Sequence, residues 1–185
     1  MPKLNAQNSK CHLYTFFGGL SIESKKKVFF SLGYDLKFTI SHFEILSAHK
    51  GRSIKAQFDA STIKVFSAVK DGAELPLLLT KENKQKINQT VASEVLESHK
   101  YRRIYFEGKA KMSSETQGVV EGDLTLHGTS AQIKGQIICE QDKMKVVVSL
   151  DQKRFELEPY SAYFGVLKIK PIVKVVLELP MNSLS

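Results

Sequence analysis

The chain has few cysteines, and it lacks both a long apolar run and a recognisable targeting segment. Its 185 residues include two cysteines, Cys11 and Cys139, and one pair does not define a disulfide framework. No apolar run approaches ~18 residues, so we expect no membrane-spanning helix. The N-terminal stretch has neither the apolar core nor the small-residue cleavage site of a secretory signal peptide. These absences predict a cytoplasmic protein with two reduced thiols.

The sequence motifs of common enzymes and metal sites are also missing. There is no H-E-x-x-H, no cysteine pair at metal-ligand spacing, no G-x-S-x-G, no P-loop and no dinucleotide fingerprint. Glu121, Asp123 and His127 share one face of a predicted strand, but positions i to i+6 span ~20 Å at ~3.3 Å per residue. They cannot all bind one ion, and a solvated polar face explains them better. We therefore expect no enzyme activity, no metal and no cofactor.

Positive charge is in excess. The chain has 27 Lys and Arg against 19 Asp and Glu, for a formal net charge of +8. The simpler interpretation of this excess charge is that it keeps the protein soluble. The more specific one is that it attracts the protein to an anionic membrane surface. Lys25–Lys27 is the only tight basic run and is too short to predict nucleic-acid binding.

Apolar and polar residues alternate through most of the chain, which is typical of strands with one buried face. The alternation runs over residues 36–40, 54–58, 104–112, 124–126, 131–137, 144–150 and 173–179. Its parity changes after Ile40, which predicts a bulge near Ser41–His42, and the stretch 67–76 has loop composition. The first residues of a chain are often disordered, so disorder in about the first 10 residues is compatible with the predicted fold. The pattern predicts one all-β domain over residues 1–185, an antiparallel barrel or sandwich.

One segment interrupts this alternation with a helical pattern. Thr80 is a suitable N-cap, and Ile87, Val91 and Val95 recur at i, i+4 and i+8. We expect a helix over about residues 81–98 that packs its single apolar stripe against the sheet or covers an open end or seam.

The apolar parity mixes large side chains with very small ones. The small residues are Gly108, Ala110, Gly122, Gly128, Ala131 and Gly135. One interpretation is that strand glycines mark bends or close approaches of the backbone. The other is that several small inward residues together leave a hollow, as in closed barrels that hold one ligand.

The stretch from Ala92 to Gln136 resembles the YceI-like family, also called the polyisoprenoid-binding or lipocalin-like family. The resemblance lies in Leu96, Tyr101, the Ile104-Tyr105-Phe106 strand and the Gly122–Gly128 hairpin GDLTLHG, and more weakly in the stretches 33–36 and 165–169. Arg102 stands where the family usually has proline after the tyrosine. The resemblance covers most of the chain from about residue 28 onward.

The resemblance implies an extended antiparallel barrel of about eight strands around a tunnel for an amphiphile, and frequent homodimers. Polyprenyl chains, isoprenoid quinones and long-chain fatty acids or amides are the family's ligand classes. The candidate ligand-binding residues share the apolar parity of their strands or lie in the less periodic stretch after residue 151: Phe38, Ile40, Phe58, Ile104, Phe106, Met112, Leu124, Leu126, Ile133, Val146, Val148, Tyr160 and Phe164.

A second hypothesis is a basic β-domain that binds an anionic partner, a nucleic acid or a membrane surface, without a lipid tunnel. Its support is the set of basic residues at exposed parity, among them Arg102, Lys109 and Lys174. Single-stranded nucleic acid needs aromatic side chains on the same face for stacking. Tyr105 has the exposed parity, but most strand phenylalanines do not. We therefore expect a long-chain lipid or isoprenoid as ligand, transient contact with anionic membrane, a homodimer and no nucleic-acid partner.

Overall fold

A computed structural model describes residues 3–17, 34–48, 52–162 and 167–181. It contains these strands: β1 (Lys3–Asn5), β2 (Lys10–Phe17), β3 (Asp35–Ile40), β4 (Phe43–Ala48), β5 (Ser53–Asp59), β6 (Ile63–Lys70), β7 (Ala73–Leu75), β8 (Arg103–Met112), β9 (Gln117–Leu126), β10 (Thr129–Glu140), β11 (Lys143–Asp151), β12 (Ser161–Ala162) and β13 (Leu167–Pro180). One α-helix, α1 (Lys81–Thr90), continues into a π-helical turn, Val91–Val95. Short 3-10 helices span Ala60–Thr62 and Gln152–Phe155.

The strands form one antiparallel sheet that curls into a barrel-like wall. Its order is β1-β4-β5-β8-β9-β10-β11-β13-β2-β3-β6-β7, with β12 paired to β13 outside this path. Leu4 of β1 and Ile63 of β6 come from near opposite ends of the path, yet both contact the same interior. The all-β fold with one helix is confirmed, but the path holds 12 strands among the described residues rather than about eight.

The extra strands come from segments that periodicity did not identify. Lys3–Asn5 pairs with β4, so the expected disorder of the first residues is wrong for this part of the chain. The stretch 67–76 is no loop: β6 runs on to Lys70, turns at Asp71–Gly72 and returns as β7. Asp71 and Gly72 both have positive φ, 51° and 81°, as a two-residue hairpin turn requires. The Asp-Gly dipeptide is the signal that indicates this hairpin.

Ser41–His42 is a strand break and not a bulge. β3 pairs with β2 and β6, whereas β4 pairs with β1 and β5, so the chain crosses here from one part of the wall to another. The carbonyl of His42 accepts a hydrogen bond from the Asp59 amide at 3.0 Å, and the His42 amide donates to Thr62 Oγ1 at 3.2 Å. These bonds satisfy the backbone at the corner, and the parity change reflects the new pairing on either side.

The strand glycines allow close packing and do not form the hollow. Gly108 and Gly122 are directly paired across β8 and β9. A Cβ at Gly108 would lie 2.3 Å from the Glu121 carbonyl oxygen and 2.6 Å from Phe106 Cζ. The Phe106 ring therefore occupies the space over Gly108, and Val148 and Val120 fill the space over Gly135 in the same way. Of the six small residues, only Ala110 contacts the interior cavity, so the expectation that they create it is wrong.

Arg102, which stands where the family usually has proline, has a structural role. Its guanidinium donates two hydrogen bonds to one carboxylate oxygen of Asp59, from Nε at 3.0 Å and from the terminal nitrogen at 2.9 Å. Asp59 also accepts the Ser61 amide at 3.0 Å and so caps the first 3-10 helix. This pair ties the end of β5 to the start of β8 at one rim of the wall.

Gly122→Ala tests the close approach of β8 and β9. The added methyl would lie 2.3 Å from the Glu107 carbonyl oxygen and 2.5 Å from Gly108 Cα, and both are backbone atoms. We expect a loss of about 1–3 kcal/mol in the free energy of unfolding by urea denaturation. Gly72→Asn is the control, because its site has open space and asparagine tolerates positive φ. Equal stability of the two variants would contradict the close approach.

The Asp59–Arg102 pair predicts a pH dependence of stability. Burial disfavours ionised Asp59, but hydrogen bonds from Arg102 and Ser61 outweigh it and lower the pKa of Asp59 to about 2. A lowered folded-state pKa stabilises the protein above the unfolded value near 3.8 and loses that effect as the pH falls toward 2. Asp59→Asn should cost about 1–3 kcal/mol at pH 7 and show less of the acid loss. Glu115→Gln, at an exposed turn, should behave as the native protein; if Asp59→Asn does too, the pair is not stabilising.

Candidate functional site

The curled sheet encloses an apolar cavity with a volume of about 210 Å³. Its lining comes from strands around the whole wall, from the π-helical turn and from the second 3-10 helix. Among the described residues that line it, none is charged and only Thr15, Ser47 and Gln152 carry polar side-chain groups. Such an interior suits an apolar ligand with few polar atoms.

Cross-strand register stacks the lining residues in layers along the cavity. One layer contains Ala56, Phe106 and Leu124, and another contains Ala110, Val120 and Val148. Lining residues on β8 run from Ile104 to Ala110, a distance of ~20 Å at ~3.3 Å per residue. The cavity is thus long relative to its volume, which favours a chain-like ligand over a compact one.

The structure places ten of the thirteen candidate ligand-binding residues on the cavity wall. They are Phe38, Ile40, Phe58, Ile104, Phe106, Leu124, Leu126, Ile133, Val146 and Val148. Strand parity was a sufficient guide for these positions, because each lies in a regular antiparallel ladder with one face inward. Whether they contact a ligand stays a prediction.

Two described candidates, Met112 and Tyr160, are not on the wall. Met112 has the inward parity but lies where β8 and β9 extend beyond the cavity, so it is 37% exposed and its sulfur lies against Gly118. Tyr160 follows the second 3-10 helix, and its carbonyl accepts a hydrogen bond from the Ile169 amide at 3.0 Å. Phe164, and the basic run Lys25–Lys27, lie outside the described residues.

Sequence analysis missed several lining residues. Cys11, Leu13 and Thr15 of β2 face the cavity, as do Val173 and Leu177 of β13. The alternation on β13 was visible in the sequence, but β2 has a mixed composition in which histidine, tyrosine and threonine weaken the pattern. Burial raises the pKa of the Cys11 thiol to about 12, so this group stays protonated and acts as an apolar wall atom.

The helix forms part of the cavity wall. Val91 and Val95 line the cavity, as does the buried Leu96, and Ile87 packs against the same core. The expected apolar stripe is therefore docked, although the helix ends at Val95 with a π-helical turn. Such turns interrupt the regular ladder and are frequent at functional sites.

Polar side chains of the helix bind the free edge of β6. Asn88 Oδ1 accepts the Val65 amide at 2.7 Å, and Lys84 Nζ donates to the Phe66 carbonyl at 2.7 Å. These two residues are one turn apart on α1, so they lie on one helix face. The helix thus satisfies two backbone groups in the part of β6 that β7, paired only with Ala68–Lys70, leaves uncovered.

The segment after the helix docks on the β9–β10 turn. The Tyr101 ring lies over Gly128, where a Cβ would be 2.8 Å from Tyr101 Cε1, and its centroid is 4.2 Å from that of His127. His127 Nε2 also contacts Glu97 Oε2 at 3.0 Å. His127 and Gly128 both have positive φ, 52° and 79°. The LESHKY and GDLTLHG motifs are therefore two halves of one contact that holds the helix end to the wall.

Two hydroxyls at the cavity have no hydrogen-bond partner. Ser47 Oγ and Thr15 Oγ1 are buried and unpaired, and Ser47 is almost fully buried. Gln152, in contrast, donates from Nε2 to the carbonyls of Lys170 and Pro171 at 3.1 and 3.3 Å. An unpaired buried hydroxyl costs about 1–3 kcal/mol, so both are positions where a polar group of a ligand would be favourable.

The described residues hold no cluster of three or more histidine, cysteine, aspartate or glutamate side chains that could bind a metal ion. Within the same part of the chain, no helix is long and apolar enough to span a bilayer.

Comparison with known proteins places this architecture in a family. Three solved structures are similar over most of both chains: BcnA of Burkholderia cenocepacia, a polyisoprenoid-binding domain of Saccharophagus degradans implicated in plant cell wall breakdown, and a YCEI protein of Campylobacter jejuni. Their TM-scores are 0.62, 0.51 and 0.55 at 11%, 10% and 13% identity. They cover 95%, 92% and 88% of this chain, and 97%, 95% and 92% of their own. At such low identity they show a shared fold.

No curated protein matches the chain in sequence. The YceI-like domain, however, matches residues 12–181, a range that contains most of the cavity wall, the helix and the docked hairpin. The chain belongs to the YceI-like family.

Proposed function

We propose that the protein is a binding or carrier protein that holds one long-chain amphiphilic lipid in the cavity. A polyisoprenoid, an isoprenoid quinone or a fatty acid or amide would fit this role. The observation that carries the proposal is the long interior lined by apolar side chains from the whole wall. Support also comes from the similar structure that is described as a polyisoprenoid-binding domain.

The energetics of the cavity favour occupancy. At ~24 cal/mol per Å³, an empty apolar cavity of 210 Å³ costs about 5 kcal/mol. A typical domain has only ~5–15 kcal/mol of net stability. Each buried CH₂ of a ligand contributes roughly 0.8 kcal/mol, so a chain in the cavity recovers much of this cost.

The alternative of an anionic partner without a lipid tunnel has less support. Several exposed basic residues are paired with carboxylates on the same outer face, as in Lys109–Glu121 at 3.3 Å and Lys55–Glu107 at 3.2 Å. Among the described residues, the two exposed phenylalanine and tyrosine side chains, Phe66 and Tyr105, lie on β6 and β8, which are not neighbours in the sheet. The described surface therefore offers no row of aromatic rings for stacked bases. We also propose that the protein is not an enzyme, because the described residues that line the cavity include no charged side chain.

Organic extraction and mass spectrometry of the purified protein test the proposal. The native protein should release a long-chain lipid in a fixed ratio to protein. Ala110→Leu adds three carbons within the cavity and should weaken lipid retention about tenfold.

Ala131→Leu is the matched control, because Ala131 packs against the core but does not line the cavity. It should retain lipid as the native protein does. If the native protein yields no lipid, or if both variants retain it equally, the carrier function is wrong.

We further propose that the helix gates the cavity. Val91 and Val95 form part of the cavity wall. The helix is held in place by side-chain hydrogen bonds to β6 and by the contact of the following segment with His127. Helices of this kind are among the less stable parts of a fold and can open without global unfolding.

Val91→Asp tests the gate, because it places an unpaired charge at the cavity wall. We expect faster amide exchange in residues 81–95, faster lipid release to acceptor vesicles, and protected barrel strands. Gln85→Asp, on the exposed face, should change neither rate.

A milder variant separates opening from unfolding. Asn88→Ala removes the bond to the Val65 amide and leaves the apolar stripe in place. Release that stays at the native rate in a variant with faster helix exchange would show that the helix is only structural.

A further inference from the structure

The loop between β7 and α1 presents leucine side chains to solvent. Leu77 is 96% exposed and Leu78 is 47% exposed. The leucines that flank this exposed stretch contact the core: Leu75 packs against it and Leu79 is buried. The Leu78 amide donates to the Leu75 carbonyl at 3.2 Å, and Thr80 caps the helix that follows. The loop is therefore anchored at both ends, and the side chains of Leu77 and Leu78 are exposed to solvent.

A third exposed apolar residue lies nearby. Leu75 pairs with Ala68 on β6, and Phe66, two residues along β6, is 47% exposed. Single exposed apolar residues are normal on protein surfaces. Three of them on one hairpin and its adjoining loop form an apolar patch, which we call the leucine patch: Phe66, Leu77 and Leu78. A patch of this kind indicates a binding surface.

The surroundings of the leucine patch are basic. Residues 64–86 contain five lysines and the acidic residues Asp71, Glu74 and Glu82. Glu74 is already paired with Lys37, which lies outside this stretch, at 2.6 Å. Apart from Glu74, this stretch therefore carries five lysines against two acidic residues, Asp71 and Glu82, in a protein with a net charge of +8.

Apolar tips bordered by lysine are suited to a lipid bilayer with anionic headgroups. The leucines enter the boundary between headgroups and acyl chains, and the lysines stay at headgroup level. A second copy of the chain fits less well, because it would bring lysines of like charge together.

We propose that the leucine patch docks the protein on an anionic membrane. The loop leads directly into α1, whose far end forms part of the cavity wall. Membrane contact would therefore act on the element that covers the cavity, and this role in lipid exchange rests on the proposed carrier function.

Vesicle co-sedimentation tests the surface with phosphatidylcholine vesicles, with and without phosphatidylglycerol. The native protein should bind the anionic vesicles more strongly, and high salt should weaken that binding. The double variant Leu77→Ser/Leu78→Ser should bind them about tenfold more weakly, because two leucines no longer enter the bilayer. Lys81→Gln should reduce binding to anionic vesicles only.

The control is Ile172→Ser/Met181→Ser, which removes two exposed apolar residues, 41% and 42% exposed, from β13 and its end. It should bind vesicles as the native protein does. The proposal is overturned if the leucine variant also binds as the native protein does, or if the native protein binds neither vesicle.

It is equally overturned if light scattering shows a native dimer that the leucine variant dissociates while vesicle binding is unchanged. Failure of the carrier function gives a different result: no extractable lipid, with vesicle binding that still depends on Leu77 and Leu78.

Discussion

The structure depends on one constraint: a sheet of twelve strands has to bury a single continuous apolar face. The strands are up to 14 residues long, so the apolar face is extended. In a flat sheet this face would be exposed to solvent. Twist and curl bring both ends of the path to a common interior. The side chains do not fill this interior, because the wall is wide and its lining is mostly aliphatic. The cavity is thus a consequence of strand number and curl.

The glycine pair of β8 and β9 shows that the wall itself is tightly packed. Gly108 and Gly122 let two backbones approach and let the Phe106 ring lie over them. The wall can therefore be dense while the centre is hollow. This separation explains why small residues at inward positions were a poor guide to the cavity, although the cavity exists.

Sequence patterns predicted the regular part of the molecule and failed at its irregular points. Long alternating strands such as β9 and β10 were evident, and their inward residues, Leu124 and Ile133 among them, line the cavity. Short strands such as β1 and β7 have too few residues to show a period. They form strands because they pair with a neighbouring strand, which the sequence pattern does not show. Met112 has the right parity, but periodicity does not show where the wall ends. Ser47 could not be predicted from the sequence as a cavity residue, because an unpaired hydroxyl is recognised only from its surroundings in the structure.

The helix connects stability with access to the cavity. Lys84 and Asn88 bind backbone groups of β6, while Val91 and Val95, further along the same helical segment, line the cavity. If the whole helix lifted, it would expose both unpaired backbone groups of β6 and an apolar interior, a combination that promotes aggregation. The π-helical turn lies between the edge-binding residues and the docked Tyr101–His127 contact. Movement limited to this turn would open the wall at Val91 and Val95 while Lys84 and Asn88 keep β6 covered, which is the kind of opening that the proposed gate requires.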